Sequence, residues 1–258
     1  MRTICIMNLK GGVAKTTTAI NVAAILAAEY RQRVLLIDAD SQCNTTEFFG
    51  GIPEEGNLAR VLRATEEPDG GVYAVSQIRP TDVTGIDLLA GDDSLMDLDL
   101  TKVETGTVRA TVLRDMVALL TDRKLYDWIL VDCPPSFNAA AAAALIAADE
   151  VVIPCKLDGF SLRGMTNIVQ QINNMRVINP GLRLTGILPT MYYKAAEIEA
   201  AEQTLRESGL PVYHPIRRTV KVDKMTFEQE PLRVVSPNCA AGVDYRRFVR
   251  QLAKGRCA

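Results

Sequence analysis

A single histidine, His214, serves the whole chain of 258 residues. That scarcity excludes a poly-histidine metal centre and makes a Ser-His-Asp triad a poor expectation, since each needs imidazoles in specific places. The six cysteines (Cys5, Cys43, Cys133, Cys155, Cys239 and Cys257) are scattered, with no Cys-x-x-Cys pair. They suit a reduced cytosolic protein better than a disulfide framework or a zinc site. Three lie in or beside apolar runs, where a free thiol packs as a small hydrophobe. Long apolar runs are missing too. The weakly apolar stretch from Ala139 to Ala148 stops at Asp149 and Glu150, too short to span a bilayer. No charged leader precedes an apolar segment at the N-terminus, so no signal peptide is expected. Gly and Pro are not in excess, and there is no linker, internal repeat or low-complexity block. The expectation is one soluble, cytoplasmic domain over residues 1–258.

Net charge is nearly absent at −2, but its distribution is uneven. From His214 onward there are ten lysines and arginines against four acids, so this segment is about +6 and the remainder about −8. Such asymmetry fits a surface for polyanions, and it fits a solvated basic face equally well.

Apolar periodicity supplies the fold. Thr3 to Met7 and Val34 to Ile37 read as short buried strands, separated by a glycine turn and a helix beginning near Lys15. Strand, loop, helix and strand within about forty residues make a βαβ unit, which requires a parallel sheet. Residues 50–108 are less regular, with Pro53, Gly56, the turn Pro68-Asp69-Gly70-Gly71 and a strand from Ile86 to Ala90. Further strands are expected at Trp128 to Val131, Val151 to Pro154, Leu184 to Leu188 and near Val212. Helices are expected from Val108 to Leu120, over 138–148, from Ser161 to Val177, from Ala195 to Ser208, near Val220 and over 238–254. The whole is a doubly wound α/β domain, its mostly parallel sheet flanked by helices.

Between the first strand and the first helix stands Lys10-Gly11-Gly12-Val13-Ala14-Lys15-Thr16-Thr17. Glycines let the backbone turn tightly and aim N–H groups at phosphate oxygens, while the following helix presents its positive end. In that arrangement Lys15 reaches the β- and γ-phosphates and the Thr16 hydroxyl ligates Mg²⁺. The ordinary pattern G-x-x-x-x-G-K-[ST] fails, because Leu9 and Ala14 occupy its glycine positions. What fits is K-G-G-x-x-K-[ST], with a second lysine at Lys10. Three aspartates, Asp38, Asp40 and Asp132, fall at strand ends, where an open α/β sheet lines its ligand crevice. An aspartate after a strand is often a turn residue, which accounts for one of the three but hardly for all.

With these residues in view, the chain resembles the ParA/MinD family of deviant P-loop ATPases, and within it the ParA (Soj-like) branch. The resemblance extends through Val34 to Gln42, Tyr126 to Ser136, Ala147 to Pro154 and Ile216 to Lys221. It implies a Mg²⁺-dependent ATPase of weak intrinsic rate, a P-loop NTPase fold, and ATP and Mg²⁺ as cofactors. Lys15 and the amides of Gly11, Gly12, Val13, Ala14, Thr16 and Thr17 would hold the triphosphate. Lys10 would be the signature lysine that crosses a dimer interface. Thr16, Asp38 and Asp132 would support the metal, and Asp40 would position the attacking water. Two positions depart from the family pattern: Ala14 replaces a glycine, which calls for a backbone conformation tolerable to alanine, and Ser41 replaces a proline beside Asp40.

One fold serves many cargoes, so three readings stand. The first is DNA partition, in which an ATP-dependent homodimer binds DNA without sequence preference, associates with the nucleoid, and is released on hydrolysis stimulated by a ParB-like partner. The second is a MinD-like membrane ATPase, and the third a metal-cluster carrier. The basic segment favours the first, with Arg217, Arg218, Lys221, Lys224, Arg247 and Arg250 as DNA-binding candidates. A membrane tail needs a wide apolar helix face. Tyr245, Phe248, Val249 and Leu252 offer only a narrow stripe, which suits docking on the chain's own core, so no membrane is expected. A cluster carrier would need paired ligand cysteines.

Overall fold

Two strands, Val34–Asp38 and Trp128–Asp132, are buried at every residue. A strand can be apolar on both sides only in a sheet whose two faces are covered, and that condition organises the chain. The computed structural model describes residues 1–51, 57–64 and 67–255, with side chains for all of these except 160–163. Pro53, Gly56, Arg256 and Cys257 lie outside the described residues.

In chain order the elements are β1 (Arg2–Ile6), α1 (Lys15–Tyr30), β2 (Val34–Asp38), α2 (Asn44–Phe48), α3 (Leu58–Arg63), α4 (Gly70–Ser76), β3 (Arg79–Pro80) and β4 (Ile86–Leu89). A 3-10 turn at Asp93–Asp97 leads to α5 (Leu100–Glu104), α6 (Val112–Asp122), β5 (Trp128–Asp132), α7 (Ala139–Ala147), β6 (Glu150–Lys156) and α8 (Gly159–Met175). The chain closes with β7 (Arg183–Thr190), α9 (Ala196–Glu207), α10 (Lys221–Glu228), α11 (Leu232–Val235) and α12 (Ala240–Ala253).

Seven strands form one sheet in the order β3-β4-β2-β5-β1-β6-β7. All pairs are parallel except β3 with β4 at one edge. Side chains alternate across the pleat. Cys5, Leu35, Ile37, Ile129 and Val131 point into a core shared with α6, α7 and α8. Ile4, Ile6, Val34, Leu36 and Leu130 point into the other, under α1 and α12. The doubly wound sheet is therefore as the sequence implies. Because β1 sits centrally between β5 and β6, the loop that follows it opens at the carboxyl ends of the strands, where the order reverses.

Some expectations need correcting. Val212 makes a single parallel bridge to Ile187 instead of a strand, although Tyr213 N–H and the Pro211 carbonyl both bond to Ile187 at 2.8 Å. The helix expected from Val108 begins at Val112. The irregular stretch holds three short helices, α3, α4 and α5, each capped by a side chain: Asn57, Asp69 and Asp99. The narrow apolar stripe of α12 is spent on the core, since Tyr245, Phe248, Val249 and Leu252 are all buried. No described helix is long and apolar enough to cross a membrane.

Candidate functional site: the strand-end cleft around the phosphate loop

The loop after β1 is pinned before it turns. Asn8 donates its side-chain amide to the Pro154 carbonyl at 2.7 Å and accepts the Lys10 N–H at 3.0 Å. Farther along, the Thr190 hydroxyl donates to the Val13 carbonyl at 3.1 Å. Thus β6 and β7 both fix the loop, and its residues Gly11 to Thr17 line a cleft of about 320 Å³ together with Asp40, Gln42 and Pro135.

Turning the chain back into α1 requires left-handed backbone at two places. Gly12 has φ 67° at no steric cost. Ala14 has φ 67° and ψ 36° as the cap of α1, contrary to the expectation that alanine marks a tolerant conformation here. Its carbonyl accepts both the N–H and the hydroxyl of Thr18, at 3.0 and 2.7 Å, which holds the strained residue in place. A left-handed alanine costs ~1–2 kcal/mol, and glycine gives back up to ~1 kcal/mol through unfolded-chain entropy. Ala14→Gly is therefore expected to raise Tm by about 1–3 °C, measured by thermal unfolding without nucleotide.

The three aspartates converge on the same cleft edge. Asp38 and Asp132 are in register across β2 and β5 and fully buried, and Asp40 follows two residues beyond. Asp38 Oδ2 accepts the N–H and hydroxyl of Thr46 at 2.8 and 2.7 Å, and its Oδ1 accepts the Asp40 N–H at 3.2 Å. Asp132 Oδ2 accepts the hydroxyls of Thr16 and Thr45 at 2.7 and 2.8 Å, while its buried Oδ1 has no hydrogen-bond partner among the described residues. Burial holds both carboxyls above the usual carboxylate range. For Asp38 the neighbouring Asp132 charge adds to this, and for Asp132 the Thr16 and Thr45 bonds and Lys15 oppose it. Asp40 is tied by the Gln42 N–H on Oδ1 at 3.1 Å and by its carbonyl to the Cys43 N–H at 2.9 Å. Those bonds close the turn in which Ser41 stands.

The two lysines are held differently. Lys15 is buried, and its ammonium reaches only the Lys10 carbonyl, at 3.3 Å, among the hydrogen bonds described. Burial lowers its pKa, with Asp132 and Asp40 opposing that shift. Lys10 turns toward β6 and pairs with both oxygens of Asp158, at 2.8 and 2.7 Å. A second cleft of about 260 Å³ adjoins the loop at Ala14 and Thr17, walled by Met191 on one side and by Ile216 to Val220 on the other.

Comparison with known proteins decides the family. An AAA domain family model matches residues 1–184. The chromosome partitioning protein ParA of Caulobacter vibrioides is 32% identical over 98% of this chain and 94% of its own length. The chromosome-partitioning ATPase Soj of Thermus thermophilus is 37% identical over 98% of this chain and 95% of its own. This chain belongs to the ParA family. Among solved structures, a Mycobacterium smegmatis cobyrinic acid a,c-diamide synthase with bound ATP analogue and magnesium is 27% identical, covers 98% of this chain and 94% of its own, and superposes with a TM-score of 0.79.

In this ParA-family chain the basic candidates do not form one uniform group. Arg217 is committed internally, its guanidinium bonded to the buried Asp244 of α12 at 2.8 and 2.9 Å. Arg217 and Arg218 both line the second cleft beside the phosphate loop. Lys224 pairs with Glu228 along α10 at 3.4 Å. Lys221, Arg247 and Arg250 are exposed, the last two one turn apart on α12. Sequence reasoning missed Thr45, Thr46 and Asp158, which touch Asp132, Asp38 and Lys10. The pair Asn44-Thr45 directly after the second aspartate loop is the signal that was there to be read.

Proposed function

We propose that this ParA-family chain is a DNA-partition ATPase, acting as one domain over residues 1–258 and as an ATP-dependent homodimer in the cytoplasm. One observation carries the reading: a buried Lys15 with a single long hydrogen bond among those described stands at the end of the turn after β1, near the strand-end carboxylates Asp40 and Asp132, in a chain that follows partition ATPases over 98% of its length. Phosphoryl transfer asks a protein mainly for positioned charge and an oriented water, and these residues supply both. Amides of Gly11 to Thr17 and the Lys15 ammonium hold the triphosphate. Lys10 reaches the partner copy's phosphates, and Asp40 orients the water. The nucleoside lies in the second cleft, between Met191 and Ile216.

Magnesium fits the residues present. Asp132 accepts the Thr16 hydroxyl on Oδ2, keeps a buried Oδ1 without a hydrogen-bond partner among the described residues, and is in register with Asp38, an all-oxygen set suited to a hard cation. When bound with ATP, the ion neutralises charge on the β- and γ-phosphates. Thr16 would hold it, with Asp38 and Asp132 supporting it from the strand ends.

The target of the ATP-bound dimer is DNA without sequence preference, on the nucleoid, with a ParB-like protein stimulating release. Lys221, Lys224, Arg247 and Arg250 support this, with Arg217 and Arg218 at the inner margin. Since the two inner arginines also border the nucleotide cleft, the clean test lies on α12. Arg247→Glu combined with Arg250→Glu should weaken ATP-dependent DNA binding at least tenfold and reduce the slope of log affinity against log salt by about 2. ATP binding should stay unchanged. A salt series by fluorescence anisotropy, with a liposome control, measures this; an unaltered slope refutes the assignment.

A further inference from the structure

We infer that Thr45 is a positioning residue for the metal-side carboxylate, holding Asp132 through the same oxygen that accepts the Thr16 hydroxyl. The inference rests on the ATPase reading above and deepens it.

A carboxylate at the end of a strand rotates about its terminal bond, and the two oxygens are chemically alike. In this chain hydroxyls hold one of them. Asp132 Oδ2 receives two O–H donors, Thr16 at 2.7 Å and Thr45 at 2.8 Å, and the buried Oδ1 receives none from the described residues. A buried carboxylate oxygen left without a donor is costly unless a cation or its water completes it.

The two donors are not equivalent. Thr16 lines the phosphate cleft and has a second task there, as the proposed metal ligand. Thr45 does not line that cleft, is fully buried on α2, and bonds Asp132 alone among the described side-chain contacts of its hydroxyl. It is the donor whose bond does not depend on what occupies the site. Charge-assisted O–H···O⁻ bonds of this length are among the stronger hydrogen bonds in proteins and hold orientation as well as energy.

Helix α2 is itself built into the site. Its next residue, Thr46, clamps Asp38 through both N–H and hydroxyl, and the Thr46 hydroxyl oxygen accepts the Gly91 N–H at 2.9 Å. Gly91 approaches so closely that a Cβ there would stand 2.8 Å from the Asp38 carbonyl. Thr45 and Thr46 therefore present consecutive hydroxyls to two carboxylates that are in register on neighbouring strands. Outer-shell hydrogen bonds of this kind commonly change metal affinity by about 10–100-fold when removed.

The test is Thr45→Val, which keeps the branched shape and deletes the donor, with Thr45→Ser as the conservative partner. Affinity for a fluorescent ATP analogue is measured in EDTA and across a Mg²⁺ titration, alongside Tm without nucleotide. The valine variant should bind the analogue in EDTA within twofold of the wild type but need about tenfold more Mg²⁺ for the metal-dependent gain, and serine should restore it. A valine variant with a wild-type Mg²⁺ midpoint overturns the assignment. So does an equal loss of binding with and without Mg²⁺ that tracks a fall in Tm and is not rescued by serine, since that pattern describes a packing residue. If the wild type itself gains nothing from Mg²⁺, the ATPase reading fails and takes this assignment with it.

Discussion

Lys15→Ala is expected to remove ATP binding while leaving the fold as stable as before or slightly more so. The two halves of that result have one cause. The Lys15 ammonium is buried, its pKa is lowered by that burial, and its described hydrogen bond is a long one of 3.3 Å to a carbonyl. A cation in that condition contributes little to the empty protein, because desolvation offsets what Asp132 and Asp40 return. It contributes most when phosphate oxygens arrive. Two or three charge-assisted bonds at ~1.5–3 kcal/mol each correspond to a loss of at least about 100-fold in affinity. Isothermal titration with ATP and Mg²⁺, run beside a thermal melt, separates the two effects. Retained affinity would sink the phosphate-loop reading.

Asp40→Ala should do the opposite to the cycle: binding persists and turnover stops. Asp40 borders the phosphate cleft, and its turn is fixed by the Gln42 and Cys43 amides, so the carboxylate is held in place before any ligand enters. A negative group there does not attract a triphosphate, so ATP affinity should hold or tighten. Loss of a positioned base or water-orienting group costs about 10²–10⁴ in rate. The expected outcome is an ATP-bound dimer that accumulates, seen by size-exclusion chromatography with light scattering, with phosphate release down at least 100-fold. Undiminished release would take Asp40 out of the mechanism.

Much of this site was legible in the sequence because its parts lie at the ends of strands that announce themselves. Val34 to Ile37 and Trp128 to Val131 are continuous apolar runs, and only a strand buried on both faces tolerates them. Once they are placed, Asp38, Asp40 and Asp132 must share one edge. The region between Gly50 and Val108 was opaque for the converse reason. Its helices α3, α4 and α5 run for six, seven and five residues, too few turns for a 3.6-residue period to show, and they are set by single caps. Ala14 misled because sequence gives the residue and not its φ; the left-handed turn is imposed by the loop around it. Arg217 looked like surface charge because its partner, Asp244, is twenty-seven positions away and buried on α12. Thr45 and Thr46 carry no motif of their own in the sequence, since only the strand register brings their hydroxyls to the two carboxylates.

The pairing of Lys10 with Asp158 has a consequence for how reversible the proposed dimer is. An ammonium already resting on a carboxylate has exchanged part of its water for that anion. Moving it to a phosphate on another copy exchanges one anion for another, so the net gain is a difference between two similar contacts and is smaller than either. Association then responds steeply to the presence of the γ-phosphate and relaxes once that group leaves. On the proposed cycle, in which hydrolysis releases the DNA, such a narrow margin serves better than a strong new bond.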